Sequence, residues 1–179
     1  VTQNATVDAS AKDNGDGGQI IAFADNDLLF RGSFAARGGE NGGDGGFIET
    51  SAKQNVDIAG DISTRAPAGN AGQWLIDPAN LEIVSGSTDS NLDDNGPEFK
   101  PSADSSELSV DTLETALDNG NVTVQTLDDN NSGKGNIIVS ALINNDNSSN
   151  LTLEAWNNID VDYDITMDGG DLTLKAGYN

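Results

Sequence analysis

A repeat of 27 to 28 residues is the feature of this sequence that most limits how the chain can fold. Its three clearest copies begin with residues 17–24 (GGQIIAFA), 45–52 (GGFIETSA) and 72–79 (GQWLIDPA). The segments that follow the first two copies, residues 28–34 and 56–62, also repeat at a spacing of 28. A period of this length, with short apolar runs in each copy, indicates one structural unit stacked on itself. The repeat therefore predicts a solenoid.

The repeat also predicts which residues lie above one another in successive copies. The expected columns are Val7–Phe34–Ile62, Ile20–Ile48–Leu75, Phe30–Ile58 and Phe47–Trp74. Within one copy, Val56 and Ile58 alternate with Asp57, as a strand with one buried face requires. Copies that climb one strand spacing of about 4.8 Å per turn form parallel ladders. We therefore expect an all-β fold, a parallel β-helix with aliphatic stacks inside and polar residues outside.

The composition is strongly acidic, and it excludes several classes of function. Eight Lys and Arg stand against 30 Asp and Glu, for a formal charge of −22. Such a surface repels nucleic acid and anionic lipid. The chain has no Cys and no His, which removes disulfides, thiolate sites and the commonest general base. No apolar run approaches the roughly 20 residues needed to span a membrane, so membrane insertion is not expected.

The chain divides into three parts of one continuous solenoid. Residues 1–84 carry the regular repeat, and residues 85–120 contain a loop excursion followed by a short helix. Residues 121–179 continue the coils with a smaller period. Because low hydrophobicity with high charge would otherwise indicate disorder, the repeat is what argues for a folded core. The start inside a repeat, without a signal peptide, favours a fragment of a larger protein.

One helical pattern follows the polar loop at 85–108. Ser109 or Asp111 is suited to cap its N-terminus, and Gly120 is suited to end it. Leu113 and Leu117 lie four residues apart, on one face of the expected helix. Two turns are marginal in isolation. We therefore expect this helix to pack its apolar face on the solenoid.

Five further strands are expected after the helix, and each opens with Asn or Asp. They are residues 121–124, 136–139, 150–153, 158–161 and 171–174. An Asn at such a corner can bond its own backbone or the Asn of the next coil. These corners are thus expected to hold neighbouring coils together.

Two blocks of the chain resemble a known family of secreted proteins. Residues 45–52 and 72–83 (GQWLIDPANLEI) are similar to a pattern of the large exoproteins of two-partner secretion in Gram-negative bacteria. These are the filamentous-haemagglutinin-like, high-molecular-weight adhesins, in which a GGF-aliphatic-ETS run precedes a GTWL-aliphatic-DP block. Gln73 stands where Thr is usual. Later residues continue the likeness at 113–117 (LETAL), 121–124 (NVTV) and 151–155 (LTLEA).

The resemblance implies a fold, an export route and a location. It implies a right-handed parallel β-helix, an outer-membrane partner transporter, and a place outside the cell or on its surface. It also implies a secreted adhesin segment, a rigid shaft that presents a loop to host or matrix glycan or protein and contributes to adhesion or biofilm. The residues support a non-catalytic role, and the loop at 85–108 is where we expect partner contacts. Two alternatives stay open: a β-helix enzyme acting on acidic polysaccharide, and a calcium-dependent cohesion module.

Three carboxylates form the one candidate metal site. Asp160, Asp162 and Asp164 alternate with Val161 and Tyr163, so they could share one strand face and hold Ca²⁺ through their oxygens. The alternative is a solvated outer face opposite inward apolar residues, and we favour it. The acidic runs at 89–94 and 128–131 are likewise interpreted as solvated loops, and no other cofactor is expected.

Arg37 and Arg65 occupy equivalent positions in adjacent copies. They could clamp an acidic sugar, as in β-helix polysaccharide lyases. The simpler interpretation is that neighbouring carboxylates such as Asp61 or Glu40 hold them. Two isolated bases on so negative a surface favour the simpler interpretation.

Carboxylate pairs and tryptophans give weaker candidates. Glu49 with Asp77 could supply the acid and base of a glycosidase, although 30 acidic residues produce such pairs by chance. Trp74 and Trp156 could stack on sugar rings. Because Trp74 shares its expected repeat position with Phe47, a structural role is favoured for it, and Trp156 is the better candidate for exposure.

Overall fold

The computed structural model describes residues 1–2, 4–58, 60–86, 105–126 and 134–177. Within these ranges the chain is mostly β-structure, with 17 strands and one α-helix. In chain order the elements are β1 Thr6–Asp8, β2 Gln19–Ala24, β3 Asp27–Phe30, β4 Ser33–Ala35, β5 Phe47–Ala52, β6 Asn55–Ile58, β7 Asp61–Ser63, β8 Gln73–Asp77, β9 Leu81–Val84, β10 Ser106–Ser109, α1 Val110–Leu117, β11 Asn121–Thr126, β12 Ile137–Val139, β13 Ile143–Asn145, β14 Leu151–Ala155, β15 Ile159–Val161, β16 Ile165–Met167 and β17 Leu172–Ala176.

The strands form five separate sheets whose strands pair in parallel. The largest sheet has six strands in the order β17-β14-β11-β8-β5-β2. The others are β10-β9-β12-β15, β1-β4-β7, β13-β16 and β3-β6. Neighbours in a sheet mostly come from different copies of the repeat, as where Gln19–Ala24 pairs with Phe47–Ala52. The predicted all-β class, with parallel sheets and one short helix, is confirmed.

Most of the predicted columns are confirmed. Val7 pairs with Phe34 and Phe34 with Ile62, while Ile20 pairs with Ile48. The column Phe30–Ile58 is present as well. Equivalent residues of adjacent copies therefore lie next to each other on neighbouring strands.

The predicted register between the second and third copies is wrong by one residue. Ile48 pairs with Trp74 rather than with Leu75, and Phe47 pairs with Gln73 rather than with Trp74. Since neighbouring strand residues point to opposite faces, this shift turns Trp74 into the core. Its side chain is 1% exposed, and its Nε1 donates to Thr50 Oγ1 at 3.0 Å. That bond satisfies a hydroxyl that would otherwise be buried without a partner.

The core is one continuous cluster of apolar side chains that includes residues from all five sheets. Close backbone contact between copies accompanies it at the corner before the six-stranded sheet. A Cβ on Gly72 would lie 2.1 Å from the carbonyl oxygen of Gly46, and a Cβ on Gly46 would lie 2.0 Å from that of Gly18. A side chain at Gly46 or Gly72 would thus force the copies apart.

The helix begins where predicted, but it ends at Leu117 with Asp118 as the C-cap, so the predicted stop at Gly120 lies beyond the cap. Ser109 is the N-cap, and its Oγ accepts a hydrogen bond from Thr112 N at 3.1 Å. The buried residues are Leu113, Ala116 and Leu117, as expected from their spacing. The helix packs against β7, β10, β11 and β13. It therefore lies against strands of several sheets, including β7, the end strand of the sheet β1-β4-β7.

The predicted loop at 85–108 needs a correction at its end. Ser106–Ser109 form strand β10, which pairs with β9 on the side away from β12. Its Leu108 is fully buried, and Ser106 Oγ accepts a hydrogen bond from Val56 N at 2.9 Å. The buried hydroxyl fills a backbone bonding position that an apolar residue could not fill. Residues 87–104 of the expected loop lie outside the described residues.

The Asn corners bond as predicted. Asn150 N donates to Asn121 Oδ1 at 2.9 Å, and Asp171 N donates to Asn150 Oδ1 at 2.8 Å. A second ladder joins Asn158 Nδ2 to Asn136 Oδ1 at 3.2 Å. These side chains connect neighbouring parallel strands at or just before their first residues.

Candidate ligand-binding groove

A groove of about 1100 Å³ lies beside the sheet β1-β4-β7. Its walls come from three successive copies of the repeat and from α1. Its charged lining residues are Lys12, Arg37, Arg65, Asp8, Asp13, Glu40 and Asp61. Ser10, Ser33, Ser63, Thr115 and Asn119 add hydroxyl and amide groups. Three of the eight basic residues of the chain thus line one groove.

Arg37 is held in the groove by hydroxyl groups of the two neighbouring copies. Its backbone N donates to Ser10 Oγ at 3.0 Å, and its Nε donates to Ser63 Oγ at 3.2 Å. The side chain is nevertheless exposed. Because the bond from Nε fixes the plane of the guanidinium, the Nη atoms remain available for a ligand.

Arg65 is the counterpart of Arg37 in the next copy. The backbone bonds from Ala36 N to Ser63 O, at 2.9 Å, and from Gly38 N to Arg65 O, at 3.0 Å, keep the two copies in register. The Cα atoms of the two arginines therefore lie one strand spacing, ~4.8 Å, apart. Both side chains are exposed to solvent.

The expected ion pairs with Asp61 or Glu40 are not formed. Within the described residues, neither Arg37 nor Arg65 has a carboxylate oxygen within 4 Å, so the interpretation that carboxylates hold them is wrong. Three bases outside the groove do pair, as Arg31–Asp57, Lys53–Asp25 and Lys175–Glu154. Within the described residues the two groove arginines thus form no ion pair, and the charge of Arg37 acts on Asp8 over a longer distance.

Asp8 carries the acidic side of the groove next to Arg37. Hydrogen bonds from Ser10 hold the pKa of the Asp8 carboxyl below its ordinary value, and the charge of Arg37 adds to the effect. One of these bonds runs from Ser10 N to Asp8 Oδ1 at 2.9 Å. The groove therefore presents ionised acceptors beside exposed guanidinium donors. That combination can bind a ligand with both carboxylate and hydroxyl groups.

Glu49 and Asp77 form a second cluster, on the outward side of the six-stranded sheet. Asp77 pairs in register with Ser51, whose Oγ donates to Glu49 Oε1 at 2.6 Å. Burial, and then the charge of Glu49, raise the pKa of Asp77 to about 7. Asp77 Oδ1 is buried without a hydrogen-bond partner. The structure thus brings the two predicted carboxylates together. However, Asp77 Oδ1 is buried, so a substrate in solvent could not contact this oxygen.

The carboxylates of the candidate calcium site are all exposed. Asp160 lies on β15, the outermost strand of its sheet, and Asp162 and Asp164 follow the end of that strand. Val161 is 44% exposed, while Ile159 and Ile165 are partly buried. Across the part of the chain that the structure describes, no three acidic residues are placed to hold a metal ion.

The two tryptophans differ in exposure. Trp74 is part of the core, whereas Trp156 is only partly buried. The acidic runs at 89–94 and 128–131 lie outside the described residues. Among the described helices, none is long and apolar enough to cross a membrane.

Sequence reasoning missed several groups of the groove. Lys12, Ser10 and Ser63 were not singled out, nor were Thr115 and Asn119 of α1 and the turn after it. The weak first copy of the repeat held a signal for one of them: Ser10 stands 27 residues before Arg37, at the spacing that joins Val7 to Phe34. No sequence pattern indicates that α1 borders the groove, because its position depends on tertiary packing.

No known protein-family model matches the chain. No curated protein sequence matches it either.

Proposed function

We propose that the chain is a right-handed parallel β-helix that serves as the rigid shaft of a secreted, cell-surface adhesin. The observation that carries the proposal is the in-register parallel pairing of equivalent residues over successive copies, from Ile20 through Ile48 to Trp74 and on to Val122 and Leu151. A chain that stacks one unit on itself gains length rather than an enclosed site.

The order of the strands supports the β-helical winding. Strands β2, β3 and β4 lie in three separate sheets, and β5, β6 and β7 of the next copy pair with them in the same order. A chain that leaves a sheet and returns to pair in parallel with its own earlier strand makes a crossover. Such crossovers are right-handed in about 98% of cases.

The proposed mechanism is display. Each copy adds about 4.8 Å of length. Many shafts on one cell then bind through avidity rather than through a single strong contact. In this proposal an outer-membrane transporter of the two-partner type exports the protein, and its ligands are host or matrix glycans or proteins. The similarity of residues 45–52 and 72–83 to such exoproteins supports this assignment.

An adhesion assay on displayed protein tests the proposal. The chain is joined behind a two-partner secretion domain and expressed with the matching transporter, and binding of the bacteria to host cells and to biofilm matrix is measured. We expect display on the cell surface and increased adhesion. A scrambled version of residues 87–104, of unchanged length and composition, tests whether this segment makes the contact. Surface display without any gain in adhesion over cells that carry the secretion domain alone would contradict the proposed function.

A further inference from the structure

We propose that the groove beside β1-β4-β7 binds an acidic polysaccharide built from uronate sugars, with Arg37 and Arg65 as the carboxylate-binding residues. This inference concerns the side of the molecule and does not rest on the proposed shaft function. The groove is large, and it groups three exposed bases in a chain with a net charge of −22.

The arginines are prepared for carboxylates. The Nε of Arg37 is already bonded to Ser63 Oγ, so the side chain has its orientation before a ligand arrives. Its Nη atoms make no hydrogen bond within the described residues. A planar fork of this kind binds a carboxylate through two parallel hydrogen bonds, and fixing it beforehand reduces the entropy lost on binding. Arg65 offers a second guanidinium in the next copy, so two acidic sugars of one chain can be bound at once.

The acidic lining selects a sugar over other anions. Asp8, Asp13, Glu40 and Asp61 line the same groove and would repel a densely charged polymer such as a nucleic acid. A uronate sugar carries one carboxylate and several hydroxyl groups. Its hydroxyls can donate hydrogen bonds to these four carboxylates while its carboxylate accepts from an arginine. The mixed lining therefore suits a ligand that carries both carboxylate and hydroxyl groups, as each sugar of a uronate polymer does.

Calorimetric titration with hexagalacturonate tests the inference. The compared proteins are the wild type, Arg37→Gln, Arg65→Gln and the control Lys53→Gln, which removes one positive charge from an exposed ion pair outside the groove. We expect wild-type binding that weakens as salt is raised, a Kd about tenfold higher or more for each arginine variant, and a Kd within about twofold for the control. Because no hydrogen bond from the Arg65 side chain is lost, Arg65→Gln keeps the test valid even if Arg37→Gln folds poorly.

Several results would overturn the inference. Absence of binding at millimolar hexagalacturonate would do so, as would arginine variants that bind as tightly as the wild type. Equal binding of the fully methyl-esterified hexamer would show that the carboxylates are not recognised. Shortened products after incubation would show that the groove is catalytic rather than a binding site. None of these results bears on whether the shaft mediates adhesion, so the two proposals fail independently.

Discussion

The copies before residue 85 and the coils after residue 120 join the six-stranded sheet in two different ways. In the earlier copies, the first N–H of each strand donates to a backbone carbonyl one copy below. Phe47 N bonds Gly18 O at 3.0 Å, and Gln73 N bonds Gly46 O at 3.0 Å. Glycine allows this because nothing but backbone fits between the copies at Gly46.

In the later coils, side chains make the equivalent bonds. Asn150 N donates to Asn121 Oδ1, and Asp171 N donates to Asn150 Oδ1. These coils differ in length, since the paired residues are 29 and then 21 apart, whereas the pairings of the earlier copies in this sheet span 28 and then 26. Glycine carbonyls make this bond as far as Asn121, whose N donates to Gly72 O at 3.0 Å, and Asn side chains make it in the two steps that follow.

The two regions also differ in the partners of the carboxylates in one outward column of the same sheet, which runs through Asp77, Gln125, Glu154 and Lys175. In the earlier copies, Asp77 lies near Glu49 and its pKa is raised to about 7. In the later coils the same column carries Glu154, which pairs with Lys175 at 3.4 Å.

Gly72→Ala is expected to have the largest effect, because it puts a methyl group into the backbone contact of the earlier copies. The added Cβ would meet the carbonyl oxygen of Gly46 at 2.1 Å, and a backbone atom cannot rotate away. We expect a loss of about 3 kcal/mol or more in the free energy of unfolding, measured by urea denaturation. Gly42→Ala is the matched control, since its Cβ would be 3.5 Å from Asn14 Oδ1, and it should cost within about 0.5 kcal/mol. Equal losses in both variants would contradict the role given to the glycine corner.

The comparison also explains how far the sequence could predict the fold. Columns such as Phe34–Ile62 were predictable because copies of equal length repeat their apolar residues at one spacing. The Ile48–Trp74 pair was missed because these two residues are only 26 apart. The copy that begins with two glycines, Gly45 and Gly46, is followed by a copy that begins with one, Gly72. A helix between Ser109 and Gly120 was predictable from its cap and its leucines.

Other features depended on contacts that no local pattern records. Strand β10 has a single apolar residue, Leu108, and its place beside β9 follows from how the chain returns after residues 87–104. The groove was half predictable: the equivalence of Arg37 and Arg65 follows from the repeat, but their lack of ion pairs does not. With 30 acidic residues, the sequence favours pairing, and only the fold shows that none of the described carboxylates lies within 4 Å of either arginine.

Asp77→Asn is expected to have the next largest effect, and it tests the charge contrast. Because the folded pKa is about 7 and the ordinary value is 3.8, the folded state holds a proton that the unfolded chain releases. The contribution of Asp77 is therefore most favourable below about pH 4, and it is lost as the pH rises to about 7. At about 1.4 kcal/mol per pKa unit the change would be about 4 kcal/mol, and solvent screening of this partly exposed group reduces it to about 2.

The measurement is the free energy of unfolding of wild type and Asp77→Asn between pH 4 and pH 8. The variant should be the more stable of the two at pH 8, and its advantage should shrink toward pH 4. Glu154→Gln serves as the control, because it removes only an exposed ion pair and should change stability by at most about 0.5 kcal/mol. A difference between wild type and Asp77→Asn that stays constant over this range would contradict the raised pKa.

Thr50→Val and Thr126→Val form a matched pair across the two regions. Both threonines are buried, but Thr50 Oγ1 accepts a hydrogen bond from Trp74 Nε1, whereas Thr126 Oγ1 has no partner. Removing the first hydroxyl leaves a buried indole N–H unsatisfied, so we expect a cost of about 1.5 kcal/mol. Removing the second should leave stability unchanged or raise it slightly. Urea denaturation of both variants checks this, and a larger loss at Thr126 than at Thr50 would show that the assignment of the two hydroxyls is wrong.

Asn150→Ala is expected to have the smallest effect, and it probes the side-chain ladder of the later coils. The variant removes the Oδ1 that accepts from Asp171 N, but Asn150 is exposed and water can replace it. We therefore expect a loss of about 1 kcal/mol, together with faster hydrogen exchange at the Asp171 amide. Asn144→Ala, also exposed, makes no side-chain hydrogen bond within the described residues, so it should change neither quantity. If exchange at Asp171 is unaffected by Asn150→Ala, the ladder does not hold the coils in register, and their parallel backbone bonds alone must do so.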